Sequence, residues 1–443
     1  MRSIFFALML ASVGLQASPL PKEFVNSIKL DVVKYKLDNG MVVLLNKDNS
    51  VPMVSVHQWY RVGSKNEVVG KTGLAHFFEH LMFKGTKKYP AHDLEFIIQS
   101  NGGSNNAFTS RDYTGYYISL PSDKLELALD IESDRMVNLQ FDMKAINSER
   151  EVVKEERRMR VENSISGSIW EAMFKSIFKV NQYRWPVIGY MRDLNAATMK
   201  DFKDFYKTYY SPNNSVLVVS GDINISNAKS MIEKYYGKLQ PQKIPAIEKL
   251  SEPEQKGHRT TTLRKNAQSS TFMVGYQGPN VEDADLAAME VLSYILGNGD
   301  SSRLHQRLVY RTQLANSTWA FTYSLAVRGA FLVNVAVKPG ADLNKAISAA
   351  YGEIYKVRAE KVKEEELTKA RNMLVSELVD RLKTTNGVAQ SLAAVETITG
   401  DYTRLFSDIE KYSNVTVDDI QRVAKKYLKP DQRSIVMVVP KGS

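Results

Sequence analysis

The chain has 443 residues, 43% of them apolar and 24% charged, which excludes a disordered polypeptide and leaves room for more than one hydrophobic core. Cysteine is absent, so disulfides, thiolate metal sites and a cysteine nucleophile are excluded. The net charge of +10 comes from scattered Lys and Arg without a nucleic-acid-binding motif, and reads as solubility plus weak attraction to anionic surfaces.

In chain order, the first segment is MRSIFFALMLASVGLQAS. It has Arg2 near its head, an apolar run from Ile4 to Val13 and small residues around Ala17. That pattern predicts a secretory signal peptide over residues 1–17, and so a periplasmic or secreted protein. No later stretch reaches about 18 apolar residues, so the mature chain is expected to carry no membrane span. The runs MVVLLNKD, MVSVHQWYRV and TGYYISLP predict strands, and KLELALDIESDRMVN predicts a helix. Residues 237–259, rich in Pro, Gln, Lys and Glu and without periodicity, read as a linker. Beyond it, STFMVGYQG and GAFLVNVAVK read as strands and LAAMEVLSYIL as a helix. The predicted domains are therefore residues 20–236 and 260–443. Clustered strands and clustered helices favour an α+β fold over strict α/β alternation.

A faint repeat supports two related halves. The stretches TMKDFKDFYKTYYSPNNSVLVVSGD, from Thr198, and TVDDIQRVAKKYLKPDQRSIVMVVP, from Thr416, share one pattern. Each reads as an amphipathic helix, a proline stop and a buried strand.

The chemistry is concentrated in HFFEH, His76 to His80, which holds two of only six histidines. Gly73 to Lys84 has helical spacing, and Gly85 is a natural stop. On that helix His76, Glu79, His80 and Phe83 share one face. Two imidazoles one turn apart can hold a single zinc ion. The carboxylate beside them can take a proton from water that zinc has made acidic. Tetrahedral zinc needs a third protein ligand. Residues 145–161 predict a second helix, with Glu149 and Glu156 on an apolar stripe among Ile146, Val152, Val153 and Met159. Burying carboxylates is costly unless a cation meets them. A zinc ion meets that need, as would buried arginines, and the stripe prefers Glu156 over Glu155 as the ligand.

These residues resemble the inverzincin metallopeptidases, the family of pitrilysin, insulin-degrading enzyme and mitochondrial processing peptidase. The likeness is carried by HFFEHLMFKGTKKYP, by the ExxxxxxE pair Glu149 and Glu156, and by GGSNNAFTSRDYTGYYISLP, and it runs over essentially the whole mature chain. The resemblance implies one Zn2+ per chain held by His76, His80 and Glu156, with Glu79 as general base and Glu149 steadying the site. It implies that Asn106, Ala107 and Phe108 lie on an edge strand that pairs with the substrate backbone, and that Phe83 lines an apolar pocket there. It also implies two homologous domains, each a mostly antiparallel sheet packed with helices, forming half of a clam-shaped chamber for peptides or unfolded segments.

One stretch departs from the family. In LGNGDSSRLHQRLVYRTQLANSTWAF, many members carry an Arg and a Tyr, in a pattern like LRxxxxxGY, to polarise the scissile carbonyl. The matching positions here are Val309 and Asn316, with Arg311 two residues out of register. The departure points to a heterodimer in which a zinc-free homologous subunit supplies the missing groups. The alternative is a non-catalytic scaffold subunit of the same fold. That reading expects broken ligands, and here they are intact.

Overall fold

The computed structural model describes residues 29–246 and 250–441, and the predicted signal peptide lies outside the described residues. Among the described residues the chain forms two mixed sheets flanked by helices. The first sheet is built from β1 (Val32–Lys36), β2 (Val42–Lys47), β3 (Met53–Tyr60), β4 (Ser104–Thr109), β5 (Thr114–Pro121) and β6 (Ser215–Gly221). Its order is β1-β2-β6-β3-β5-β4. The second is built from β7 (Arg259–Lys265), β8 (Thr271–Gly278), β9 (Ala315–Tyr323), β10 (Gly329–Val337) and β11 (Ser434–Pro440), in the order β7-β11-β8-β10-β9. Neighbours are antiparallel except β2–β6 and β7–β11.

Leave out β1 and the two orders coincide strand for strand. The repeat in the sequence is thus a repeat of topology. Its copies are the helices Met199–Tyr209 and Val417–Tyr427, each opened by a capping box, Thr198 with Asp201 and Thr416 with Asp419. A short proline-led turn follows in each, then the strand that runs parallel to β2 or β7. All seven residues of β6 are buried, because both faces of the sheet are covered.

The covering is reciprocal between the halves. On one face of the first sheet, Val43, Val56, Tyr116 and Leu217 pack with Phe77, Phe78, Leu129 and Phe202 of the same half. The other face shows Leu44, Trp59, Val216 and Val218. It is sealed by Val375 and Leu378 of helix Glu364–Arg381 and by Val388, Leu392 and Ala393 of helix Thr385–Thr399, all from the second half. Conversely, Ile169, Met173, Phe174 and Ile177 of helix Ile165–Ile177 seal the second sheet against Met273, Leu332, Val436 and Val438. Gly275 on β8 makes that crossing possible: a Cβ there would meet Met173 Sδ at 2.5 Å and Ile177 Cδ1 at 2.7 Å.

Polar contacts reinforce the join. Lys34 pairs with the buried Glu396 at 2.8 Å. Asp112, in the β4–β5 turn, accepts from the Ala326 N–H (3.0 Å) and the Tyr183 hydroxyl (2.6 Å). The segment between Tyr236 and β7 has no helix or strand among its described residues, yet it is anchored. The buried Glu252 carboxylate accepts from the N–H groups of Lys179, Val180 and Asn181. Among the described residues, no helix is long and apolar enough to cross a membrane.

Candidate active site

The helix carrying both histidines spans Leu74–Leu81, shorter than the predicted Gly73–Lys84. Gly73 is its N-cap, with φ 91°, a left-handed value that favours glycine. The buried Glu67 carboxyl group accepts from the Gly73 and Ala75 N–H groups at 2.9 Å each, which satisfies free donors of the first turn, and burial pushes this group well above the usual carboxylate range. After Leu81 the backbone tightens: the Phe83 N–H reaches His80 O and the Lys84 N–H reaches Leu81 O. Phe83 thus lies in this tightened turn, past the end of the helix. It sits half-buried, 6.5 Å from the ring of Tyr116.

The second helix spans Met143–Arg157, capped by Asp142, and runs on into a π-helical turn, Arg158–Glu162. Its buried residues are Ile146, Glu149, Val153 and Arg157. Val152 and Met159, expected on the apolar stripe, are instead 50% and 59% exposed. The helix packs against Leu74–Leu81 and Met191–Ala196, which leaves the Val152 and Met159 side to solvent.

These two helices bring His76, His80 and Glu156 together, with one ligand atom from each lying within 4.8 Å of the others. Glu156 Oε2 stands 3.2 Å from His80 Nε2 and 3.6 Å from His76 Nε2. The two rings are 4.9 Å apart, centroid to centroid. The other Glu156 oxygen, Oε1, pairs with Arg160 at 2.8 Å. Glu149 Oε1 meets His80 Nδ1 at 2.8 Å and its Oε2 pairs with Lys84. Glu149 accepts from the His80 Nδ1–H, and the Nε2 corner of the ring faces Glu156. Glu156 Oε2 is buried, and two imidazole nitrogens face it. Two nitrogens and one carboxylate oxygen form a donor set that fits zinc.

The electrostatics agree with that geometry. Burial pushes His76 down to about 4, so its ring is neutral and able to act as a ligand. Burial also opposes charge on His80, but hydrogen bonds and attraction from Glu149 and Glu156 outweigh it and push His80 up to about 9. A metal binding at His80 must therefore displace a proton. Both Glu149 and Glu156 are held below the usual carboxylate range: burial opposes this, and their cationic neighbours outweigh it.

Glu79, half-buried on the same helix, is pushed up by burial, an effect partly offset by a hydrogen bond from Thr109. The Thr109 hydroxyl donates to Glu79 Oε2 at 2.6 Å. Thr109 ends β4, which among the described residues is the outermost strand of its sheet and pairs only with β5. Alternation along β4 separates its side chains. Ala107 joins the core beneath the histidine helix, opposite Tyr116 in the ladder and so on the face where Phe83 packs. Phe108 turns to the other face, with its ring 4.9 Å from Trp59, and so lies away from the face that carries His76 and His80. Asn106 is exposed, and its Oδ1 accepts from the Ala107 N–H at 2.8 Å.

Val309 packs against the core of the second half, and Asn316 is exposed on β9. Thr109, Lys84, Arg160 and Glu67 were not predicted from sequence as parts of the site. Only Thr109 carried a signal, as the last residue of the NNAFT stretch.

Residues 42–189 match the profile described as Insulinase (Peptidase family M16), and residues 196–374 match that of the Peptidase M16 inactive domain. The chain is 31% identical over 408 residues to a Helicobacter pylori protein named zinc protease PqqE, covering 91% of this chain and 92% of that one. It is 27% identical over 420 residues to an Arabidopsis thaliana protein named probable mitochondrial-processing peptidase subunit beta, covering 91% and 77%. The crystal structure of a protease from Helicobacter pylori superposes with a TM-score of 0.89 at 30% identity, over 93% of this chain and 100% of that one. An M16-like peptidase from Alicyclobacillus acidocaldarius shares the fold at a TM-score of 0.83 and 20% identity, covering 94% and 99%. Sequence profile, close relative and superposed structure converge over nearly the whole described chain, which belongs to the M16 (insulinase) peptidase family.

Proposed function

We propose that the chain is a secreted, periplasmic zinc endopeptidase that cleaves peptides or unfolded segments, and that it is the zinc-bearing subunit of a heterodimer with a zinc-free homologue. The observation that carries this reading is the meeting of His76, His80 and Glu156 beside a carboxylate, Glu79, tethered to a free edge strand. The relatives named zinc proteases support it.

Zinc held by those three residues supplies Lewis acidity, polarising a scissile carbonyl and making water reactive at neutral pH. The chain's own residues do the rest. β4 offers its open edge to an extended peptide, which docks as an added strand, and Asn106 gives up the Ala107 N–H to the incoming backbone. The Glu79 carboxylate takes the proton of the attacking water and returns it to the leaving amine. Thr109 holds that carboxylate at the end of the docking strand. Glu149 fixes the tautomer and orientation of the His80 ring.

The heterodimer rests on Val309 and Asn316. The first is apolar and packed, the second uncharged, so this chain brings no Arg and Tyr pair at those positions to the carbonyl. Relatives named as beta subunits of a processing peptidase support a partnered state. Export rests on the pattern of residues 1–17.

The test is purification from the native host, with metal analysis and peptide cleavage measured with and without any copurifying subunit. One zinc per chain is expected, and Glu79→Gln keeps the metal but loses about a hundredfold or more in kcat. Metal-free material, or a Glu79→Gln variant that cleaves at the normal rate, refutes the reading.

A further inference from the structure

The second sheet lacks a strand that the first one has. β7 takes the place of β2, each running parallel to the strand inside it. β2 carries β1 on its outer edge, whereas β7 pairs only with β11 among the described residues. The Arg259 N–H bonds Arg433 O and the Lys441 N–H bonds Lys265 O, so Arg259, Thr261, Leu263 and Lys265 turn their backbone groups towards β11. By alternation, those of Thr260 and Thr262 point to the open edge.

That edge borders a cavity of about 500 Å³. Thr261, Leu263 and Lys265 form one wall, and helix Ile165–Ile177 forms another. On that helix Ser168, Ala172, Lys175 and Ser176 face this cavity, while Gly167 and Trp170 line the separate cavity that contains His76. At about 100° per residue the two sets lie on opposite sides of the helix, with Glu171 between them and bordering both cavities. The helix thus stands between the β7 cavity and the histidine.

Cations outnumber acids around this cavity. Arg157, Lys175, Lys179 and Lys265 line it, against Glu162 and Glu171. Both acids are met by Arg157, at 3.5 Å and 3.0 Å. Among the described residues none of the three lysines pairs with a carboxylate: Lys179 Nζ donates to Lys175 O, and Lys265 Nζ donates to Glu162 O. Burial, then the charges of Arg259 and Lys175, hold the Lys179 ammonium below its usual range, and Glu252 only partly opposes this.

We propose that the outer edge of β7 and this cavity form a docking site for an extended acidic segment of a second protein, which joins the sheet as the missing strand and is not cleaved. Its backbone bonds the outward groups of Thr260 and Thr262. Every second side chain falls on the cavity side, where Asp or Glu meets Lys175, Lys179 and Lys265. The intervening helix screens the segment from His76, which makes the occupant a partner and not a substrate. The site stands independently of the peptidase reading.

The test uses the full chain and two labelled peptides, one of alternating Thr and Glu and one of alternating Thr and Lys, with binding followed by fluorescence anisotropy. The Glu peptide binds about tenfold or more tightly than the Lys peptide, and its affinity falls with added salt. Lys175→Glu combined with Lys179→Glu, both at exposed positions, lowers that affinity by about tenfold or more. Thr262→Pro removes an outward N–H, leaves every charge in place and lowers the affinity as well. Circular dichroism checks that each variant is folded. Equal binding of the two peptides overturns the proposal. So does a folded Thr262→Pro protein that binds the Glu peptide as wild type does, since that is charge attraction without a docked strand. Cleavage of the bound Glu peptide, lost in Glu79→Gln, makes the occupant a substrate and overturns its assignment as a partner.

Discussion

Replacing Thr109 by valine removes one hydroxyl from the edge strand and keeps its β-branched shape. The lost group is the donor to Glu79 Oε2 at 2.6 Å, on a carboxylate that burial already biases towards its neutral form. Hydrogen bonds to charged groups contribute about 1.5–3 kcal/mol. At about 1.4 kcal/mol per factor of ten, kcat for a quenched fluorogenic peptide falls by about tenfold to a hundredfold. Thr109→Ser keeps the donor and stays within about threefold of wild type. Thr109 pairs with Glu79 and not with His76, His80 or Glu156, so zinc content is expected to be unchanged in both variants. The loss is in kcat rather than KM, because the docking backbone of β4 is untouched. Thr109→Val with full kcat, in a protein that Glu79→Gln inactivates, refutes the claim that this bond positions the base. So does a loss of activity that follows a loss of zinc.

Glu149→Gln weakens the hold on the His80 ring and lowers zinc affinity by about tenfold to a hundredfold, read by chelator competition; unchanged affinity contradicts the role given to the 2.8 Å contact. Glu290, half-buried and bonded by the Tyr412 hydroxyl at 2.6 Å, is pushed up by burial from 4.5 to about 7. Between those values the folded state keeps a proton that the unfolded state releases, so stability from this group falls as pH rises through the window, by about 3 kcal/mol in all. Glu290→Gln removes that slope and is the more stable protein above pH 7, as urea melts at about pH 5 and pH 8 would show; parallel curves for both proteins contradict it. The first half expressed alone exposes Leu44, Trp59, Val216 and Val218 and fails to reach a packed state, whereas the whole chain unfolds in one transition. Two separate calorimetric transitions contradict that expectation.

The strands MVSVHQWY and GAFLVNVAV were legible because alternation and β-branched or aromatic residues mark them without reference to anything distant. The histidine pair was legible because one turn of helix suffices to bring the rings together. The helix was read too long because the apolar spacing of Phe83 continues past the point where the backbone tightens. Val152 and Met159 were placed in the core because periodicity shows which residues share a face, not which neighbour stands opposite. β4, SNNAFT, has a weak apolar signal of its own and was recognised only through a resemblance. Lys84 and Glu67 were invisible for a further reason. A lysine that pairs with Glu149, or a glutamate that caps a helix six residues on, looks like any solvated charge until the chain is folded. The reciprocal packing was hidden in the same way: helix Thr385–Thr399 declares an apolar face, but not that it lies on a sheet of the other half.

That packing explains why a half without the histidine pair belongs to the site. Its strands repeat the first half's order, yet the helix that follows β8, Leu286–Gly297, carries no histidine and is almost wholly buried and apolar. What this half contributes is position. Asp112 is three residues beyond Thr109, in the turn that joins the edge strand to β5, and it is bonded by the Ala326 N–H of the second half. Tyr183 completes the contact, its hydroxyl donating to Asp112 and accepting from the Val327 N–H. The strand whose Thr109 bonds Glu79 is thus tied at its turn to the second half, while the face of its sheet away from the histidine helix is sealed by the second half's helices. A site needing its reacting groups set to within about half an ångström gains from such a rigid mount. The repeated fold supplies that mount, and one copy can lack the histidine pair without losing the reason for its presence.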